Sequence, residues 1–582
     1  VKIGLIGKGH TSTSLAFALQ QSGTSVISIS PESISKSKLK EFSIVLAIDH
    51  VGSPLFDKVN KNINTSWMAI ELGGVGGHTL PSVLGSISLF DSTTACYSCL
   101  QTRVKSNLSV LEEFNSESLI PISSSFESLL GSLSAYLVTS LSNSTMAHSH
   151  VFEISDFSTG QTNNENNAIT QRLLLPIPTC PSSDHSSSPC LSGNVTERAE
   201  YAIDERIGII NTISEAESFP APYYLANLCD TTSFTTQSVR KQSAGVAINW
   251  DQAFIKTIGE ALERYSSGVY DSNSFISGST SSFKNSISPS SFVQPSPDLY
   301  EDESIDWVDG VNLYSNKKVL LPADFAVFPP PSEYYKPAIT TGLAIGNSLI
   351  EAQLSGLYEV IERDATMLSW YSTRPLSEFL PDDSEFDLLS QMARSQGLTT
   401  TALLVTQDID IPIVTVAVHR PSKWPKFAVG SCANINPNRA AIGALSEALQ
   451  NWMELRSMGP DIAKNQPSAI GVYSNFPKEA QSFIECSDSI SSNDISIPTF
   501  FESIEELSFI MNHLHSLGLH TYSVKLTPPD IAILGFEAVR ILVPKAQPLF
   551  FGKSFFGVRA RKVPSSLGNF RSRLDRSHHP YP

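Results

Sequence analysis

Two runs of the chain carry the same signature, Glu-x-x-Glu-Arg: Glu260, Glu263 and Arg264 in TIGEALER, and Glu359, Glu362 and Arg363 in YEVIER. Residues three apart on an α-helix share a face, so each run sets two carboxylates and a guanidinium side by side. A third run places Glu447, Gln450 and Glu454 at similar intervals. Stacked carboxylates repel by about 0.2–0.5 kcal/mol per pair on an isolated helix. A metal ion, an arginine or an exposed, salt-laced surface could each offset that repulsion.

The elements that hold these groups are legible in the spacing. Asn347 and Ser348 open the second run, with Ser348 and Glu351 placed as a capping box. Ile350, Leu354, Leu357 and Ile361 then form one apolar stripe, and Glu351, Ser355, Glu359 and Glu362 another face. The first run starts at Asn249, has Gln252 three residues on, and packs through Phe254, Ile258 and Leu262. The third starts at Asn436 with Pro437 in the first helical position.

Two further groups could do chemistry. Cys96 and Cys99 form a C-x-x-C, and Cys180 and Cys190 are the other cysteines of the same region. Four thiolates suit a structural zinc, which takes tetrahedral sulfur ligation. His185 stands between the second pair as an alternative fourth ligand, while Cys229, Cys432 and Cys486 lack partners and read as core residues. The chain closes on His578-His579-Pro580-Tyr581-Pro582.

With 582 residues, 41% of them hydrophobic, the chain exceeds one ordinary core, so two or three domains are expected. A net charge of -17 argues against a nucleic-acid surface and an anionic membrane surface. A phosphate-rich ligand would then need cations as intermediaries. No run of apolar residues reaches membrane-spanning length, and VKIGLIGKG is too short and glycine-rich for a signal peptide. Seven cysteines in so long a chain indicate a reducing, cytoplasmic setting.

The start reads as strand, glycine turn (Gly7, Gly9, Ser12) and helix, with Ser25–Ser30 and Phe42–Asp49 as further strands. That order predicts a Rossmann-like α/β unit with a doubly wound parallel sheet, its glycines serving close packing rather than an intact nucleotide site. Leu129–Leu141 reads as helix, and Ser158–Asn167 and Ser272–Pro297 as loops.

SAGVAINWDQAFIKTIGEALERYSSG, TTGLAIGNSLIEAQLSGLYEVIERDA and FAVGSCANINPNRAAIGALSEALQ resemble, in order, the three nucleotide-binding blocks of the YcaO family. Within it the chain is most similar to cyclodehydratases of thiazole/oxazole-modified peptide biosynthesis, in the form that fuses a degenerate E1-like (ThiF-like) domain ahead of the YcaO domain. The resemblance implies an α/β domain over 1–200, a peptide-holding scaffold that no longer adenylates, and an α+β ATP-binding domain over 201–582. It implies ATP and Mg2+ as cofactors, with Glu260, Glu263, Glu351, Glu359, Glu362 and Glu447 as magnesium or nucleotide ligands beside Asn347, Arg264 and Arg363. Ser243 and Gln450 match more loosely. In azoline-forming relatives a proline-rich terminus reaches the active site, which implies a catalytic part for Pro580 and Pro582.

The expected reaction turns Cys, Ser or Thr of a ribosomally made precursor peptide into thiazoline or oxazoline. Thioamide or amidine formation, or a non-catalytic peptide scaffold, are the alternatives. No winged-helix leader-binding module is visible, so a separate leader-binding protein is an expected partner, with a flavin dehydrogenase and a second copy of the chain as further candidates.

Overall fold

The computed structural model describes residues 2–80, 83–91, 94–108, 121–141, 148–155, 168–182, 185, 188–217, 219–295, 303–332, 335, 339–466, 468–486, 488–496, 498–576 and 578–581. Ser158–Asn167 and Pro582 lie outside these. The chain divides into two compact units: Val1–Thr212 with Leu228–Lys241 and Pro528–Gly535, and Ile213–Asn227 with Gln242–Thr527 and Phe536–Pro582.

The first unit is built on β1 (Ile3–Ile6), β2 (Val26–Ser28), β3 (Ile44–His50), β4 (Trp67–Leu72), β5 (Val83–Phe90), β6 (Ser149–Ser155) and β7 (Ile169–Leu174), in the order β2-β1-β3-β4-β5-β6-β7. Pairing is parallel from β2 to β4, as the Rossmann-like start requires. From β4 to β7 it is antiparallel, so the sheet is mixed rather than parallel throughout. The connection from β4 to β5 is too short for a helical crossover, and a strand that returns directly must run antiparallel. Gly7 has φ +133, and a Cβ there would stand 2.6 Å from the Ile48 carbonyl oxygen, so this glycine serves close packing.

Two short segments distant in sequence also belong to this unit, and polar pairs hold them. Arg103, fully buried, donates to Asp530 at 2.5 Å and to the Pro176 carbonyl at 2.7 Å, while Asp230 N–H donates to the Ser106 carbonyl. The compact unit that contains residues 1–200 therefore also takes in these two segments.

β8 (Ile210–Glu217), β9 (Tyr223–Leu228) and β10 (Gln242–Val246), which fall in the second unit except for Ile210–Thr212 and Leu228, form a sheet in the order β10-β9-β8. A second sheet runs β11 (Ile276–Gly278), β12 (Ile305–Asn312), β20 (Tyr522–Lys525), β21 (Glu537–Leu542), β14 (Leu343–Gly346), with β13 (Lys317–Pro322) paired to β12. Part of Ser272–Pro297 is thus strand, recruited by pairing with β12. The third is β18 (Phe427–Ala433), β17 (Ile413–His419), β16 (Thr399–Leu404), β15 (Ser377–Leu380), β19 (Ser489–Ser491). The alternation of β17 with its neighbours is antiparallel, and all but its last residue are buried.

Three long helices pack on these sheets: Trp250–Gly268, Leu349–Trp370 and Pro437–Met458. Their starts follow the caps read from sequence, since the Asn249, Ser348 and Asn436 side chains each accept from first-turn amides. Each sits unusually near the strand before it because that strand has a glycine at the crossing. A Cβ on Gly245 would meet Thr257 Oγ1 at 2.5 Å, and one on Gly346 the Ala352 nitrogen at 2.6 Å. On Gly430 it would run into the Ala448 nitrogen and the Ala444 carbonyl.

Gly430→Ala is therefore expected to destabilise the chain by about 1–3 kcal/mol through overpacking, read as a lower denaturant midpoint with an unchanged slope. A midpoint equal to that of the parent would contradict the close packing.

Candidate functional site

Each acidic helix hooks one glutamate back onto the strand that leads into it. Glu260 accepts from Ala244 N–H, Glu359 from Gly342 N–H and Glu447 from Ser431 N–H, each at 2.8 Å. The three bonds span 16, 17 and 16 residues, so one local strand-turn-helix device occurs three times. The bond occupies one carboxylate oxygen, while the other oxygen of Glu260 meets Arg264 and that of Glu359 meets Arg363, beside further charged neighbours.

Those neighbours come from different helices. Burial, then the charges of Glu359 and Glu260, push the Glu263 carboxyl well above the ordinary carboxylate range. Burial and the Glu447 charge do the same to Glu362. Glu359 and Glu447 are raised as well, both by burial, against the pull of Arg363. Arg363 lies 3.4 Å from Glu359 and 3.7 Å from Glu362, and although burial opposes its charge, Glu359, Glu362, Glu447 and Glu263 together raise its pKa. The side chains remain partly open, 25% exposed for Glu359 and 13% for Glu362. Four mutually repelling carboxylates at a partly open site form an oxygen-rich set that suits hard divalent cations such as magnesium.

Arg540, on β21, is 1% exposed and faces Glu359 and Glu263, whose charges oppose the burial that lowers its pKa to about 10. It stays cationic at neutrality. One Nη donates to the Ile339 carbonyl at 2.9 Å. Sequence reasoning missed it because a single arginine in a strand has no motif.

The C-terminal tail enters the same region. His579, Pro580 and Tyr581 are buried. The His579 Nε2–H donates to the Phe550 carbonyl at 2.7 Å, and the Tyr581 hydroxyl lies 3.3 Å from Thr415 Oγ1, which is 2.7 Å from Ser431 Oγ. Burial raises the Tyr581 phenol, with Glu362 and Glu447 adding to the effect, so the ring ends beside the carboxylates.

In the first unit, Cys96, Cys99, Cys180 and His185 converge, their ligand atoms all within 4.8 Å of one another. Cys96 Sγ is 3.6 Å from Cys180 and 3.8 Å from Cys99, and Cys99 Sγ is 3.3 Å from His185 Nε2. With metal–sulfur bonds of about 2.3 Å, a tetrahedron has sulfur–sulfur edges of about 3.8 Å, so the cluster could hold a metal ion.

Residues 244–547, more than half of the chain, match the family model described as YcaO cyclodehydratase, ATP- and Mg2+-binding. The chain belongs to the YcaO family. An uncharacterised protein of Methanothermobacter thermautotrophicus is 26% identical over 319 residues, covering 52% of this chain and 80% of that protein. Among solved structures, a heterocyclase in complex with substrate and cofactor is similar with a TM-score of 0.72 and 18% identity, over 100% of this chain and 85% of the other. The heterocyclase TruD is similar with a TM-score of 0.64 and 18% identity, over 97% and 82%. These likenesses show a shared fold, which in this chain is an α/β Rossmann-like region followed by an α+β YcaO region.

The other sequence-derived residues of this YcaO chain fall into distinct places. Arg264 pairs with Glu260 at 2.5 Å and also donates to the Gln242 carbonyl. Asn347 and Glu351 are exposed at the start of the second acidic helix, where the Glu351 carboxylate accepts from Asn347 N–H at 3.1 Å and from its side-chain amide at 3.2 Å. The capping box is thus half formed: Ser348 caps Glu351 N–H, but the carboxylate turns to Asn347. Ser243 is buried and its hydroxyl donates to the Thr257 carbonyl, so it fastens strand to helix. Gln450 donates to Glu454 at 3.3 Å.

Cys190 does not join the other cysteines. It is exposed, with its thiol against the Leu191 carbonyl at 3.4 Å, and His185 fills the fourth place. Spacing alone could not distinguish the two candidates for the fourth place. Cys432 is not simply core either, since burial and the charges of Glu362 and Glu447 raise its thiol. The strand glycines before each helix, in SAGVAI, GLAIG and AVGSCA, were the available signal for the backbone hooks.

Two outcomes are expected. Elemental analysis should find about one zinc per purified chain, lost in Cys180→Ser and His185→Ala but retained in Cys190→Ser; retention in the first two would disprove the cluster as the metal site. Burial holds His579 neutral, at a value lowered from 6.5 to about 4. A released tail binds a proton in that window and a docked one does not, so docking is fully favourable above about 6.5 and weakens by roughly 1.4 kcal/mol per unit as pH falls toward about 4. Hydrogen exchange at Tyr581, corrected for intrinsic rate, should quicken from pH 7 to pH 5, and should lose that pH dependence in His579→Asn.

Proposed function

We propose that the chain is an ATP- and Mg2+-dependent peptide cyclodehydratase that forms azolines. The convergence of Glu263, Glu359, Glu362 and Glu447 with Arg363 and Arg540 in one partly open site carries this reading. A Cys thiol or Ser/Thr hydroxyl of a precursor peptide gives its proton to solvent and adds to the preceding amide carbonyl. The resulting oxyanion takes the γ-phosphoryl group of ATP and releases ADP. Phosphate then leaves with the carbon–oxygen bonding pair as the amide nitrogen gives up its proton and the C=N bond forms, for a net loss of one water from the peptide.

Bound magnesium would supply positive charge that screens the triphosphate. Glu260, Glu263, Glu359 and Glu362 are the proposed ligands, with Glu447 beside them. Arg363 and Arg540 supply charge-assisted donors to phosphate oxygens. Their fixed positions supply electrostatic stabilisation without reorganisation when charge develops. Asn347, Glu351, Arg264, Ser243 and Gln450 are assigned supporting parts, Ser243 by holding strand to helix. Pro580 and Tyr581 seat the tail beside the carboxylates, and Pro582 is proposed to reach the peptide.

We assign residues 1–200 as the E1-like scaffold, with zinc at Cys96, Cys99, Cys180 and His185, and 201–582 as the catalytic domain. A ribosomally made precursor peptide is the substrate, with a leader-binding protein, a flavin dehydrogenase and a second copy of the chain as partners in the cytoplasm. Among the described residues no helix is long and apolar enough to cross a membrane.

Glu359→Gln and Glu362→Gln are expected to lower peptide-stimulated phosphate release by at least about 100-fold, with circular dichroism unchanged. The assay uses Mg-ATP and a synthetic peptide carrying Cys, Ser and Thr. Mass spectrometry should show one water lost per ring; exchange of oxygen for sulfur would move the assignment to thioamide formation. Unaltered turnover in both variants would refute the nucleotide site, and failure of the parent to bind Mg-ATP would leave a peptide scaffold.

A further inference from the structure

The second acidic helix does more than carry Glu359, Glu362 and Arg363. The next residue, Asp364, is 1% exposed and ion-paired with Arg559, whose Nε and one Nη donate to its two oxygens at 2.9 and 2.6 Å. Arg559 also holds Asp408 through bonds of 2.9 and 2.6 Å. Asp364 further accepts from Gln547 N–H at 2.7 Å. The Gln547 side chain in turn accepts from Gly557 N–H at 2.9 Å and donates to the Phe555 carbonyl at 3.2 Å. One buried carboxylate thereby pins both ends of the 547–557 loop.

That loop is the surface on which the tail rests. His579 bonds the Phe550 carbonyl at 2.7 Å and its ring packs 5.5 Å from Phe550 and 6.0 Å from Phe551, while His578 bonds the Gly552 carbonyl. A second clamp lies at the end of the same helix. Arg573 N–H donates to the Tyr371 carbonyl at 2.8 Å, and the Arg576 guanidinium lies 3.7 Å over the Trp370 ring with one N–H on its carbonyl at 2.7 Å. The tail is therefore suspended from the helix that bears the nucleotide-site carboxylates, at points on both sides of its approach.

We propose that Asp364, Arg559, Asp408 and Gln547 are positioning residues that hold the 547–557 loop, and through it the C-terminal tail, against the Glu362–Glu447 cluster. This rests on the cyclodehydratase reading for its catalytic consequence, though not for the docking itself. The network touches neither the carboxylates of the nucleotide site nor a reacting atom. It acts by fixing where His579 and Tyr581 stand.

The test uses Asp408→Asn, which leaves the buried Asp364–Arg559 pair in place, and Arg559→Lys, each in the full chain and in a chain ending at Arg576. Hydrogen exchange at His579 and Tyr581 should rise at least about 10-fold in both full-length variants, while the affinity for the non-hydrolysable analogue AMPPNP with Mg2+ stays within about 2-fold of the parent. Peptide-stimulated phosphate release should fall by up to about 100-fold, the scale of a misplaced group, in kcat rather than KM. In the shortened chain the same substitutions should cause no further loss, because the groups they position are gone. Unchanged exchange at the tail would overturn the proposal, as would an equal loss of rate in the shortened chain or a parallel loss of AMPPNP affinity. If the parent chain shows no peptide-stimulated turnover, the cyclodehydratase reading fails while the exchange data still decide the docking network.

Discussion

The organising constraint is electrostatic: carboxylates from three helices share one half-buried space, where burial raises the pKa of Glu263, Glu359, Glu362 and Glu447. Burying like charges is costly, and a fold accepts that cost only with compensation close by. Here part of it is built in. Three backbone amides of the preceding strands fix Glu260, Glu359 and Glu447, and Arg363 and Arg540 bring positive charge from a helix and from β21. The remainder is uncompensated, and the proposed magnesium and nucleotide would supply it.

The glycine crossings serve the same end. A helix can hook a glutamate onto the strand before it only if the two lie closer than ordinary side chains permit, and Gly245, Gly346 and Gly430 allow that approach. Packing and chemistry are thus one requirement. The acidic helix of Leu349–Trp370 extends the principle, since its middle turns present Glu359 and Glu362 and its later residues, Asp364 and Trp370, bond the loop and the tail.

Much of this was legible before any coordinates. The caps at Asn249, Ser348 and Asn436 are local interactions, formed by residues three or fewer positions from their partners, so spacing reveals them. The acidic faces follow from the same helical period. Less was legible where partners are remote. Arg540 is 181 positions from Glu359 in the chain but faces it in space, and no pattern around VRILV marks it. Cys190 stood at a reasonable place for a fourth ligand, and only the path of the chain turns it outward and brings His185 in. The β4–β7 half of the first sheet likewise departs from the parallel expectation, because strand character does not decide direction.

By itself the sequence determined that the three runs are helical, where those helices begin, which of their faces are acidic, and that the repulsion on such faces must be offset. Those properties depend on periods of three or four residues and on neighbouring groups. The tertiary structure decided that the acidic faces meet, that an arginine from β21 stands among them, that a histidine completes the cysteine cluster, and that the tail is buried beside the carboxylates. These depend on which distant segments come into contact, and such contacts leave no periodic trace along the chain.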